Sequence, residues 1–491
     1  MKWNAVKHKT KHKLIRAAAA GLAVAALLGG CVPAQPSALS VLEGWGISKD
    51  SDKTGGRTGS DAAAAKDSSG NFSNSGPVKY LKREQRALIL SYMNNWYNSL
   101  TDLKARDLVD FFAEPGGTQA LGNQTALEVL VGSRGLQATD LRLSYYIYTL
   151  NCKSVTKNSK GDYTVKINED CSMNFREYPG LESKSYAVEH VFVLTQTGGG
   201  WLIKGHAQLD SLYDMVLGDD YIYPLWGEMK NARKVLAQRK QNMLAENQSY
   251  VRSRLASKSS KAAITWDNDY NRQAAVQYAQ NWVGQRNTKK WPKYDNYGGN
   301  CQNFVSQCLY NGGIPMDYTG KYQWKWYGTA VNNSKQTRRG RSSSWSGVED
   351  FLTYSRYNTG YGLVSKAGAD YYTGEIGDVI HMGTSQRWRH TVIITKVMPG
   401  GDGKTKDYLI ASNTANVVNY PASAFVYCRH ALIKIYGWNN PTKKEMEQMT
   451  GKSASTSTEA ANAAEADTKA ADAQTVGTET SDKWNIEDTD S

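Results

Sequence analysis

Two hydrophobic rhythms alternate along this chain. In "YLKREQRALILSYMNNWYNSL", residues 80–100, apolar positions recur every three to four residues, the period of an amphipathic helix. "NQTALEVLVGSRG", residues 123–135, predicts a shorter helix opened by Asn123 and closed near Gly132. The period then shortens to two. Leu141, Leu143, Tyr145 and Ile147 alternate with more polar neighbours, as do Tyr163, Val165 and Ile167 with Thr164, Lys166 and Asn168. "AVEHVFVLTQTGGGWLIKGHA" predicts a hairpin turning on Gly198 to Gly200. These elements outline a first α+β unit over residues 78–224.

The pattern resumes after a long basic helical stretch, residues 225–262, whose default role is a solvated spacer between two units. A second unit, residues 263–440, opens on "YNRQAAVQYAQNWV", with Ala274, Ala275, Tyr278, Ala279 and Trp282 on one helical face. "GGNCQNFVSQCL", residues 298–309, predicts a second helix beginning at Cys301, with Asn300 as N-cap and Gly312-Gly313 as the stop. "GEIGDVIHMG" and "RHTVIITKV" predict a strand pair, followed by "DYLIASNTANV" and "ALIKIYGW". No internal repeat interrupts this order.

Composition changes the picture mainly at the ends. The first 30 residues combine a basic stretch with the apolar run "AAAAGLAVAALL". That run falls short of the ~20 residues a membrane span needs, so it predicts a removable leader. It ends in Leu28-Gly29-Gly30-Cys31, which resembles a bacterial lipobox. The resemblance implies a lipidated Cys31 and a protein held on the extracellular face of the cell membrane. Residues 31–77 are rich in Ser, Gly, Asp and Ala and predict a flexible tether, and residues 441–491 predict an acidic low-complexity tail. Net charge is +13, carried by the stretch between leader and tail. Such an excess suits an anionic cell wall or anionic lipid. No nucleic-acid-binding signature accompanies it, so nucleic acid is not expected as a partner. The 30 tyrosines against 8 phenylalanines suit wet, polar-lined grooves, but core and edge packing is the more common reason for them.

The candidate chemistry centres on Cys301. A helix N-terminus stabilises thiolate through its free N–H groups and dipole, which favours a nucleophile there. A bridge to Cys308 is excluded by spacing: seven helical residues separate the Cα atoms by ~10 Å, beyond disulfide reach. Cys308 instead shares the buried stripe of Phe304 and Val305. Cys152 and Cys171, flanking a predicted hairpin, are candidates for a structural disulfide in an exported domain. The base must come from seven histidines. His8 and His12 leave with the leader and His190 and His206 belong to the first unit, leaving His381, His390 and His430. His390 opens its strand at a loop edge and ranks first. Asn413, at the end of a following strand, could orient its imidazole. No His/Cys spacing suggests a metal, and no cofactor is expected.

"YNRQAAVQYAQNW", "GGNCQNFVSQCLYNGG", "SSSWSGVEDF", "GDVI", "WRHTVIIT" and "SNT" follow, in order, the pattern of the bacterial "Putative amidase domain" family, a relative of the papain-like CHAP and NlpC-type cell-wall amidases and peptidases. The resemblance implies a papain-like cysteine hydrolase fold, with Cys301 as nucleophile, His390 as base and Asn413 as third residue. The family usually has Asp where Asn300 stands and often His where Asn413 stands. Asn300, Trp324 and Trp345 are candidate substrate contacts, with core packing an equal reading for the tryptophans. The first unit resembles, in pattern, the cone-shaped nuclear-transport-factor-like fold. The expected function is cleavage of amide bonds in peptidoglycan stem peptides, with the first unit free to engage a protein partner. The competing expectations are a non-catalytic wall-binding or scaffolding lipoprotein, and a thiol acyltransferase or peptidase acting on a protein.

Overall fold

The computed structural model describes residues 68–217, 228–256, 263–295, 299–334 and 337–450. The leader, Cys31, most of the tether and the tail beyond residue 450 lie outside the described residues.

The helical period over residues 80–100 forms α1 (Arg83–Asp102), which buries Ile89, Tyr92, Met93, Trp96, Tyr97 and Leu100 along one face. Each such side chain contributes roughly 1.5–3 kcal/mol by leaving water. With α2 (Thr118–Gly135), this helix covers one face of a meander: β2 (Leu143–Lys157), β3 (Tyr163–Phe175), β4 (Glu182–Thr197) and β5 (Gly200–Gln208). The second helix starts five residues earlier than Asn123, which lies inside it and is buried. The end of the expected tether is ordered: Ser69–Phe72 forms β1, parallel to β2.

The expected Cys152–Cys171 disulfide is not formed; both thiols are free and buried. Cys152 faces Ile167 and Cys171 faces Tyr148 in the ladder. A register offset of four residues separates them by ~13 Å at ~3.3 Å per residue, well beyond the ~7 Å limit for a bridge.

A short helix, α3 (Ser211–Leu217), precedes α4 (Ala232–Ala256). The latter is no solvated spacer. It docks along α2, where Lys240 pairs with Glu128 at 2.6 Å and Asn247 Nδ2 donates to Ser133 Oγ at 3.1 Å. No described helix is long and apolar enough to cross a membrane.

In the second half, β6 (Asn268–Asp269) leads to α5 (Arg272–Trp282) and α6 (Cys301–Asn311). A separate two-stranded ribbon, β7 (Trp326–Tyr327) and β8 (Gly340–Arg341), precedes α7 (Ser343–Ser346) and α8 (Val348–Tyr357). Then follow β9 (Gly362–Ala369), β10 (Val379–Gly383), β11 (Trp388–Pro399), β12 (Thr405–Ser412), β13 (Val417–Pro421) and β14 (Arg429–Asn439). The spatial order β13-β12-β11-β10-β14 makes an antiparallel sheet that β9 and β6 extend along β14. The supposed acidic tail begins with α9 (Lys443–Thr450), pinned where Glu445 accepts the Tyr361 N–H at 3.0 Å.

Both faces of this sheet are covered. Val379, Ile393, Ala411 and Ile433 pack against Phe304, Val305, Cys308 and Leu309 of α6. Ile380, Val392, Ile394 and Ile410 pack on the opposite side with Tyr371 and Tyr408. Burial on both faces explains why "TVIIT" reads as a continuous apolar run rather than an alternating one. The two halves share hydrogen bonds: Val417 and Val418 pair with Ser185 and Lys184 at the start of β4. One open, mixed sheet of twelve strands results, and the protein is α+β.

Candidate active site

The turn before α6 decides where Cys301 sits. Gly299 has φ +112°, and a Cβ there would come within 3.3 Å of Thr414 Oγ1. With that room left open, the Asn300 N–H donates to Thr414 Oγ1 at 2.7 Å and Asn300 Nδ2 donates to Asn413 Oδ1 at 2.9 Å. Asn300 Oδ1 accepts from the Tyr294 N–H at 3.0 Å and from Asn303 Nδ2 at 2.9 Å. Its side chain therefore does not cap the helix amides, and at 2 % exposure it is no substrate contact. It fastens the helix start to the end of β12.

Cys301 is the first residue of α6 and is 5 % exposed. Burial pushes its thiol up to about 11, against the partial help of backbone N–H groups at Thr391, Gln302 and Cys301 itself. The helix-terminus argument favoured thiolate; desolvation outweighs it here. Thr391 adjoins His390 on β11, but no hydrogen bond joins Cys301 to His390 among the described residues. The neighbouring residues are themselves joined, Thr391 Oγ1 donating to Gln302 Oε1 at 3.1 Å.

His390 Nε2 lies 3.0 Å from Ser412 Oγ. The same hydroxyl is within reach of three carbonyl oxygens, those of Asn413 at 3.0 Å and of Thr391 and Thr414 at 3.3 Å. A serine hydroxyl has one proton, and Nε2 and the carbonyls all can accept it. In the tautomer with its proton on Nε2, the imidazole donates to Ser412 Oγ, the hydroxyl donates to a carbonyl, and Nδ1 keeps its lone pair. Burial lowers His390 to about 4, keeping the ring neutral. Phe425 and Tyr427 flank it at ring distances of 5.5 and 6.0 Å.

Asn413 does not touch His390. Its Oδ1 accepts from Asn300, and its Nδ2 donates to the carbonyls of Val283 at 2.9 Å and Trp282 at 3.2 Å. It ties the end of α5 to the start of α6. The partner of the imidazole is Ser412, which sequence reasoning missed although it adjoins Asn413 in the quoted "SNT" run. The turn that follows holds Thr414 and Ala415 at φ 62° and 58°, a conformation costly for residues with a Cβ. Asn416 braces it, its Oδ1 accepting the Thr414 N–H at 3.1 Å while its backbone C=O and its Nδ2 bond the Tyr186 backbone of β4 at 2.9 and 3.0 Å.

The other candidates take structural positions. Trp324 and Trp345 are wholly buried, 4.8 Å apart, with indole N–H groups donating to Ser306 Oγ at 3.0 Å and Asn303 Oδ1 at 2.9 Å. They are core, not groove. His381 pairs in register with Thr391, is wholly buried, and has no hydrogen-bond partner on either ring nitrogen among the described residues; burial and the nearby His390 hold it at about 3. His430 lies 3.4 Å from Tyr371 Oη through Nδ1 and is held well below the imidazole range by burial. Among the described residues, no group of three or more His, Cys, Asp or Glu side chains could hold a metal ion.

A cavity of about 1120 Å³ adjoins His390. Thr414, Phe425 and Tyr427 line it together with Tyr186, Asp210 and Ser211 of the first half, and Cys301 is not among its lining residues.

Residues 269–438 match the family described as "Putative amidase domain". The uncharacterized protein YhbB of Bacillus subtilis (strain 168) is 51% identical over 47 residues, a stretch covering 10% of this chain and 14% of that protein. The similarity thus spans about one seventh of that relative's length. No solved structure matches the chain. The family match points to amide hydrolysis as the chemistry of the C-terminal region.

Proposed function

We propose that residues 269–438 form a papain-like cysteine amidase in an exported lipoprotein, acting on amide bonds of peptidoglycan stem peptides. The observation that supports this reading is the docking of the α6 N-terminus on β11 and β12, where the Asn300 N–H bonds Thr414 Oγ1 and Gln302 bonds Thr391, the residue after His390. In the resting site both groups are neutral, thiol and imidazole.

The chemistry follows from those states. As substrate enters, Nδ1 takes the Cys301 proton while Nε2–H remains on Ser412 Oγ, and the sulfur attacks the amide carbonyl carbon. Amide N–H groups at the start of α6 stabilise the developing oxyanion. The imidazolium then gives its proton to the departing amine, leaving a thioester. Water, deprotonated by Nδ1, hydrolyses the thioester and restores the thiol. Lipidation at Cys31 and the tether behind it would hold this site within reach of the wall. The first half, a curved sheet under two helices, would supply the far side of the cleft in the manner of a cone-shaped fold.

One observation favours a second reading. A thiol held near 11 at 5 % exposure suits a non-catalytic module that binds stem peptides without cutting them. Mass spectrometry of muropeptides incubated with the wild type and with Cys301→Ala separates the two. Product from the wild type alone supports the amidase; equal product from both, or none from either, overturns it.

A further inference from the structure

The cavity beside His390 extends into the first half, where it meets a buried cation. Arg134, in the last turn of α2, lies on its wall and is 3 % exposed. Its Nη2 donates to Tyr420 Oη at 2.6 Å, and its guanidinium rests 5.4 Å from the centre of the Phe175 ring. The other two nitrogens, Nε and Nη1, have no hydrogen-bond partner among the described residues, and no carboxylate there forms an ion pair with it. A buried charge without a counter-charge is costly, and unpaired buried donors add to that cost. The guanidinium fork matches a carboxylate bidentately.

Two acids on the same lining, Glu169 and Asp210, already have partners. Glu169 accepts from Tyr97 Oη at 2.6 Å through Oε1 and pairs with His190 Nε2 at 3.0 Å through Oε2. Asp210 accepts the Leu212 and Tyr213 amides at 3.0 and 3.1 Å, and Gln208 Nε2 at 2.6 Å. Asp295, also on the lining, pairs with Arg286 at 2.7 Å, so Arg134 is a buried cation left without a carboxylate among the described residues.

A continuous aromatic wall connects it to the proposed catalytic base. Tyr420, which Arg134 bonds, lies 5.4 Å from Phe425, and Phe425 lies 5.5 Å from His390. An extended peptide advances ~3.3 Å per residue, so roughly three residues cover that wall. We propose that Arg134 binds a carboxylate of a short peptide whose reacting amide lies at His390, about three residues away. The position of the reacting amide rests on the amidase reading; the carboxylate site does not.

Binding to full-length Cys301→Ala protein tests this without turnover. The probes are tetra-alanine with a free C-terminal carboxylate, the same peptide as its C-terminal amide, and a C-terminal amide carrying one internal glutamate. Calorimetry gives the dissociation constants, and the fluorescence of Trp96, on the cavity wall, reports entry. The acid should bind about 10-fold or more tighter than the amide, the effect of one charge-assisted hydrogen-bonded pair. Arg134→Gln should abolish that preference, and Arg134→Lys should keep part of it. Rescue of affinity by the internal glutamate would assign the carboxylate to a side chain and also support the site. Equal affinity for all three probes, or a preference that survives Arg134→Gln, overturns it. The first of these needs no Arg134 variant to fold. Discrimination without any Cys301-dependent turnover would support the carboxylate site while removing the amidase reading.

Discussion

Replacing Ser412 with alanine, beside Asn413→Ala, tests which side chain governs the His390 imidazole. Ser412 Oγ is the sole acceptor found for His390 Nε2–H among the described residues, and the ring is 3 % exposed. Its loss leaves a buried donor unpaired, a cost of about 1–3 kcal/mol. It also removes the bond that holds the proton on Nε2 and keeps Nδ1 basic. If that cost falls on the reactive arrangement, kcat drops roughly 5- to 100-fold, at about 1.4 kcal/mol per tenfold. The fold should suffer less, since one oxygen leaves no cavity of note. Asn413→Ala should show the reverse. It breaks two buried hydrogen bonds at 2.9 Å and a part-buried one at 3.2 Å that tie α5 to α6. At about 1 kcal/mol each the loss is roughly 2–4 kcal/mol of stability. The measurements are kcat, KM and the pH–rate profile on a muropeptide substrate, together with thermal unfolding of both variants. Ser412→Ala with wild-type kcat, beside Asn413→Ala with lost kcat and unchanged stability, would refute the assignment.

Other outcomes follow from burial. Alkylation of Cys301 by iodoacetamide, followed by peptide mass mapping, should keep accelerating up to pH 10, since burial holds the thiol near 11. A plateau near pH 8.5, where a free thiol titrates, or at lower pH, contradicts this. His381 and His390 are kept neutral at about 3 and about 4, below the ordinary 6.5. Folded-state values that lie lower than unfolded ones mean stability is full above pH 6.5 and is lost as pH falls towards 4 and 3. Denaturant midpoints across that range should decline, and His381→Leu should flatten the slope; a pH-independent midpoint would be the contrary result. Trp345→Ala should cost about 3–5 kcal/mol of stability, as core truncations of this size do, and should appear in unfolding rather than as a selective rise in KM. Reductant should leave the melting temperature unchanged, because Cys152 and Cys171 are free; a drop of several degrees would indicate a bridge.

Much of this architecture was legible in local pattern. Helical spacing marked α1, α5 and α6, alternation marked β2 to β5, and seven-residue spacing alone separated Cys301 from Cys308. These are local properties, written in the 3.6- and 2-residue periods by which side chains leave a backbone. The failures share a different cause. Cys152 and Cys171 miss each other through the register between β2 and β3, which pairs them with Ile167 and Tyr148 instead. Ser412 meets His390 only because β12 pairs with β11, strands whose partnership no local pattern announces. Nothing near Trp324 or Trp345 distinguishes a groove from a core; the helices and sheet that close over them do. Basic α4 looked solvated because its partner, α2, lies about a hundred residues earlier in the chain. The Cys301 thiol shows the limit most clearly. Its place at a helix N-terminus was readable and argued for thiolate, whereas the depth at which that terminus is buried was not. Local chain stereochemistry determined which elements form and where the reactive residue types stand along them. Long-range register and desolvation decided which atoms meet, and in what protonation state.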